Sequence, residues 1–196
     1  MRSVSDGEWI ETAPGRAPAE ELYLDRIDLL DEFSHPVRGA LIRRMFEPLT
    51  VAEAADAMQV PVTRLYHHVN RLERDGLIRV QATRRVGAVT ERRYQTVARS
   101  FRIDESLIQT ADQAALGRAV GGLFDVARSA LQREFELGQF ADAGLHGRGM
   151  HALMSLHLTP ERRAELLGRL RDLLEEYTDD DGEPFQMLIS GFPETP

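Results

Sequence analysis

Thr50-Val51-Ala52-Glu53-Ala54-Ala55, Gln59-Val60-Pro61 and Leu65-Tyr66-His67-His68-Val69-Asn70-Arg71-Leu72-Glu73-Arg74-Asp75-Gly76-Leu77-Ile78 make up the stretch whose reading decides the fold. Thr50 and Glu53 have the spacing of a capping box, in which the hydroxyl and the carboxylate each satisfy a free amide at a helix start. The helix they open is short and ends near Met58. Gln59-Val60-Pro61 reads as a turn. A second helix is predicted over about residues 62–74, with Leu65, Val69 and Leu72 on its inner face. Asp75-Gly76 stops it. Two short helices across a tight turn make a helix-turn-helix.

Upstream, a helical pattern runs from Glu20 through Leu22, Ile27, Leu29, Leu30 and Phe33. Ser34 and Pro36 punctuate it and open the next helix, which carries Val37, Leu41, Ile42 and Met45 until Pro48. Downstream the period changes. Leu77, Ile78 and Val80 start a strand, residues 84–90 around Gly87 read as a basic loop, and residues 92–97 read as the return strand.

With the motifs in place, residues 31–97 resemble the ArsR-type winged-helix transcriptional regulators, in the branch without thiolate metal sites. The matching stretches are Ser34-His35-Pro36-Val37-Arg38, Thr50 to Ala55, and Leu65 to Ile78. The chain departs from the pattern at Gln59, where a turn glycine is common, and at Pro61, where a capping serine is common. The resemblance implies a DNA-binding regulator.

The residues support the same chemistry. A recognition helix buries one face and offers hydrogen-bonding groups to the major groove on the other. Thr63, Arg64, His67, Asn70 and Arg71 fall on the outward side. Arginine can bridge the guanine acceptors, asparagine can pair with adenine, and threonine can touch a thymine methyl. Tyr66 reads as a phosphate contact or as the seal of the helix edge, and His68 as a family-like histidine or a packing side chain. Arg84, Arg85, Arg92 and Arg93 in the wing are placed for phosphates or the minor groove. Arg38, Arg43 and Arg44 add backbone contacts from the preceding helix.

Charge explains how an acidic chain does this. The 196 residues carry a formal net charge of −8, and all 24 bases are arginine. Residues 1–34 hold 3 Arg against 9 acids, residues 35–102 hold 13 against 6, and residues 103–196 hold 8 against 17. The middle segment is therefore at +7 between flanks at −6 and −9. The absence of cysteine excludes disulfides, thiolate metal sites and cysteine nucleophiles. No apolar run reaches the roughly 18 residues of a membrane span, and no secretory signal opens the chain, so a cytoplasmic protein is expected.

The organisation expected is a flexible leader over residues 1–19, where only Trp9 and Ile10 are large and apolar, a winged helix-turn-helix over 20–102, and a dimerisation domain over 103–196. The class is mainly α with small β elements (α+β). Leu107, Ala111, Ala114, Ala119, Leu123, Ala127, Leu131 and Phe135 predict one long helix, with Gly117, Gly121 and Gly122 allowing close approach and a kink near Gly121. A C-terminal strand-helix-strand unit follows: Met150–Leu158, a helix from Thr159-Pro160 to about Tyr177, the turn Asp179–Asp181, and Phe185–Ser190.

The function expected is that of a homodimeric, sequence-specific DNA-binding regulator on a palindromic operator of double-stranded DNA. The alternative is a winged-helix adaptor that binds protein and no DNA. A small-molecule effector, if there is one, is placed between the long helix and the C-terminal unit, where Phe124, Phe135, Phe140, Met150 and Met154 could line an apolar pocket. The preferred reading of those five is core. Asp142 and His146 are four apart, but Gly144 between them weakens the helix they would need; His151 and His157 share one strand face; surface histidines are the preferred reading, so no metal or other cofactor is expected. No catalytic triad order, phosphate loop or dinucleotide-binding glycine pattern is present, and no enzyme is expected.

Overall fold

The computed structural model describes residues 7–12, 17–136 and 156–177. The chain divides into two compact units, Met1–Leu131 and Gln132–Pro196.

In the first unit the order is β1 (Ile10–Glu11), β2 (Ala19–Leu24), α1 (Ile27–Ser34), α2 (Pro36–Arg44), β3 (Leu49–Thr50), α3 (Val51–Met58), a 3-10 turn (Val62–Arg64), α4 (Tyr66–Arg74), β4 (Ile78–Val86), β5 (Val89–Thr96), β6 (Ala98–Ile103), α5 (Glu105–Thr110) and α6 (Gln113–Glu136), the last running on past Leu131. The helices α1 to α4 and a small sheet share one core. Leu30, Leu41, Ile42, Met45, Leu65, Val69, Leu72, Leu77 and Ile78 are its largest fully buried apolar members. This is the mixed α+β winged-helix architecture the sequence leads one to expect.

Local chemistry sets the element ends. The capping box is present: the Glu53 amide donates to the Thr50 hydroxyl at 3.1 Å and the Thr50 amide to Glu53 Oε2 at 2.7 Å. The helices α3 and α4 end alike. Val60 N donates to Ala55 O and Gln59 N to Asp56 O; Leu77 N donates to Leu72 O and Gly76 N to Glu73 O. Both are Schellman ends, which require a left-handed residue. Gly76 supplies it at φ +75°, and Gln59 takes it at φ 54°. The departure at Gln59 is thus a side chain carried in a conformation that favours glycine.

Gly39 answers to a different constraint. A Cβ there would lie 2.4 Å from the Phe33 carbonyl oxygen, a backbone atom, where α2 leaves α1. Gly39→Ala is expected to cost a net ~1–2 kcal/mol, overpacking outweighing the helix propensity gained. A denaturation midpoint unchanged or raised would show that the two helices separate freely.

The sheet order is β1-β4-β5-β3, antiparallel throughout. A separate parallel pair joins β2 to β6, from Ala19 opposite Ala98 to Leu24 opposite Ile103. This corrects three expectations. Residues 20–24 are strand rather than helix, because β6 supplies a partner and Glu21 ion-pairs with Arg102 across the pair. Residues 84–86 and 89–90 belong to strands, because Gly87 at φ +61° allows a two-residue turn. The long helix is two: Gln113 Nε2 donates to Ile108 O at 2.9 Å, closing α5, and Ala115 N donates to Asp112 Oδ1 at 2.7 Å, opening α6.

The helix α6 runs unbroken through Gly121 and Gly122. The close approach expected of its small residues is found against α1. The Ser34 hydroxyl donates to Ala119 O at 2.8 Å, and a Cβ on Gly122 would lie 2.7 Å from Ser34 Cβ. Leu107, Leu116 and Ala119 join the core, so the first unit extends beyond residue 102.

In the second unit, α7 (Pro160–Glu176) starts as expected, with Arg162 N donating to the Thr159 hydroxyl at 3.3 Å. Residues 156–158 carry no strand; the rest of that expected strand, the turn at Asp179–Asp181 and the last strand lie outside the described residues. No described helix is long and apolar enough to cross a membrane.

Candidate nucleic-acid interface

The helix α4 has two chemically opposite faces. Leu65, Val69 and Leu72 are buried, while Thr63, Arg64, Tyr66, His67 and Asn70 are exposed. Arg64, His67 and Asn70 follow one another at a spacing of three and share one side. The helix is entered through the 3-10 turn, with Pro61 at its start and no side-chain cap, so the departure at Pro61 leaves the first turn tight.

Arg71 is placed differently from its outward neighbours. Its Nε and Nη2 donate to Glu32 Oε1 at 2.9 and 2.8 Å, and Asp75 lies 3.7 Å away. Glu32 is fully buried and also ion-pairs with Arg38 of α2. One carboxylate therefore ties α1, α2 and α4 together.

His68 is half-buried in a row of three imidazoles. Its ring centroid lies 3.7 Å from that of His67 and 5.0 Å from that of His35. His35 Nδ1 caps α2, accepting from Val37 N and Arg38 N. Burial, then the charges of His67, His35 and Arg38, bring His68 down to about 4. Burial and Arg38 also lower His35. His68 thus packs against its two neighbouring rings and is held neutral at ordinary pH.

In the wing the four arginines are not equivalent. Arg84 pairs with Glu91 at 2.5 Å across the hairpin, and Arg93 with Glu53 at 3.4 Å, on the carboxylate that also caps α3. Trp9 lies against both, with guanidinium carbons 4.6 and 4.3 Å from the ring centroid. Arg85 and Arg92 are exposed; Arg85 donates to the turn carbonyl of Gly87 at 3.2 Å, and neither forms an ion pair among the described residues.

Sequence reasoning missed Glu32, Glu53, Glu91 and Trp9 as partners of these arginines. Only the 84/91 pair had a local signal, since the two face each other across a short hairpin. Of the five pocket candidates, Phe124 and Phe135 are exposed on α6, and Phe140, Met150 and Met154 lie outside the described residues, as do Asp142, His146 and His151. Among the described residues no group of three His, Cys, Asp or Glu is placed to hold a metal ion.

Residues 33–81 match the family model described as a helix-turn-helix domain. Among solved structures the chain is similar to a mutant of Lactococcus lactis ZitR in apo form, at 14% identity over 78% of this chain and 89% of that one, with a TM-score of 0.29. That likeness is too weak to bear on function. No curated protein matches. Residues 33–81 thus match a helix-turn-helix domain, and the hairpin formed by β4 and β5 makes it winged.

Proposed function

We propose, from that winged helix-turn-helix domain, that the chain is a sequence-specific transcriptional regulator acting as a homodimer on a palindromic site. Residues 62–74 enter the major groove, with Thr63, Arg64, His67 and Asn70 toward the bases and Tyr66 toward phosphate. In the wing, residues 84–93, Arg85 and Arg92 reach the backbone or minor groove, and Arg84 and Arg93 join them when the wing makes full contact. The observation that carries this reading is the exposed row Arg64, His67 and Asn70 on a helix whose opposite face is fully buried. The exposed Phe124, Leu131 and Phe135 of α6 support its use as the dimer interface. An effector that favours one orientation of the two domains would then shift the operator-ready population.

Selection of bound duplexes from a random pool tests the reading, and a two-fold symmetric site is the expected outcome. Failure to retain any duplex would favour the protein-binding adaptor. Arg64→Ala is expected to weaken specific binding about tenfold or more, the value of a bidentate base contact, and to spare non-specific binding. Arg85→Ala is expected to weaken both alike and to reduce the log–log salt slope by about 0.9. Equal losses in the two variants would mean that Arg64 reads no base.

A further inference from the structure

The segment 7–12 lies along the open edge of the wing. Ile10 and Glu11 pair with Thr83 and Ala82 of β4. Gly7 N donates to Arg85 O and Thr12 N to Gln81 O, each at 2.9 Å. The Thr12 hydroxyl lies 2.7 and 2.8 Å from the carbonyl oxygens of Val80 and Gln81. Arg84 and Arg93, which Trp9 contacts together, stand on different strands, so the indole bridges the hairpin. The segment brings two carboxylates, Glu8 and Glu11, and no base. An acidic, aromatic strand thus occupies wing surface that a phosphate backbone would need.

Its hold is slight. Only two residues pair as strand, and Ile10 stays 45% exposed. Ordering six residues costs conformational entropy comparable with what two cation–π contacts and these hydrogen bonds return. A polyanion that binds the same arginines therefore shifts the segment off the wing.

We propose that residues 7–12 are a displaceable strap on the wing, competing with DNA phosphates for Arg84 and Arg93. Strap docking and full wing contact with DNA exclude each other, and removing the strap raises DNA affinity. The proposal rests on the DNA-binding reading above.

Trp9 is the only tryptophan, so its emission reports the strap alone. The full-length chain is titrated with a selected duplex, binding being followed by anisotropy of a label on the DNA. Bound duplex is expected to red-shift Trp9 emission and to increase its quenching by acrylamide. Trp9→Ala is expected to bind about three- to tenfold tighter, the scale of one or two exposed cation–π contacts, with an unchanged salt slope. Thr12→Val removes a strap hydrogen bond without touching the arginines, and is expected to tighten binding in the same direction. Bound duplex with unaltered Trp9 emission overturns the strap and leaves the DNA-binding reading intact. So does weaker binding by both variants with a smaller salt slope, which would make Trp9 a positioning residue for the wing. A duplex that produces no anisotropy change overturns the DNA-binding reading, and the strap with it.

Discussion

Glu32→Gln is expected to cost ~3–5 kcal/mol of stability, the loss usual when one member of a buried ion cluster is removed. The two arginines do not share this cost equally. The Arg71 side chain is 50% exposed and can turn to water, whereas that of Arg38 is 12% exposed beside a carboxylate at 0%. Loss of the carboxylate charge therefore strands Arg38, and most of the penalty lies there. Replacing Glu32 and Arg38 together with leucine is expected to recover much of the loss, since a buried pair exchanged for packed apolar groups is often near neutral. Denaturant unfolding of Glu32→Leu, Arg38→Leu and the double variant gives the coupling. A Glu32→Gln loss below about 1 kcal/mol would show that Arg38 reaches solvent without its partner. Arg71→Ala, by contrast, is a change at a helix tie and should weaken DNA binding less than Arg64→Ala.

What the sequence made legible follows the range of the interactions involved. The capping box at Thr50 and Glu53, the stop at Gly76 and the two faces of α4 depend on residues within one or two turns, and each can be read from spacing alone. The pair β2–β6 joins residues about eighty positions apart, and Ala19–Leu24 acquires its strand conformation only from that partner. The apolar period that continues from Leu22 to Phe33 crosses two elements, which is why it reads as one helix. The wing illustrates the same limit for charge. Counting arginines finds a basic segment, but Glu53 reaches Arg93 from forty residues away, Glu32 reaches Arg71 from thirty-nine, and Trp9 arrives from a segment that composition marks as a polar leader. A sequence shows how many cations a face has; the fold decides which of them are free to meet phosphate.

Acid is expected to loosen the fold in a window set by histidine rather than by carboxylates. His68 takes its proton near 6.5 when unfolded and only near 4 when folded, because burial and the neighbouring charges of His67, His35 and Arg38 oppose it. Between those values the unfolded chain binds more protons, so stability is fully present above pH 6.5 and falls as pH drops toward 4. At about 1.4 kcal/mol per unit of pKa difference, the loss from His68 approaches ~3 kcal/mol at the bottom of the window. His35, lowered by burial and by Arg38, pulls the same way. Glu53, lowered chiefly by the Thr50 amide, gives stability that is present above its unfolded value near 4.5 and lost below it, so its limb begins where the histidine limb is ending. Unfolding midpoints taken from pH 7.5 to 4.5 therefore isolate the imidazoles. His68→Phe keeps an aromatic ring, slightly larger than imidazole, and removes a buried Nδ1 that has no hydrogen-bond partner among the described residues. It is expected to flatten most of the slope, leaving the part owed to His35. A wild-type profile already flat over this range would mean that water reaches His68 and protonates it in place, and that the three-imidazole row is not a tightly packed seam between α2 and α4.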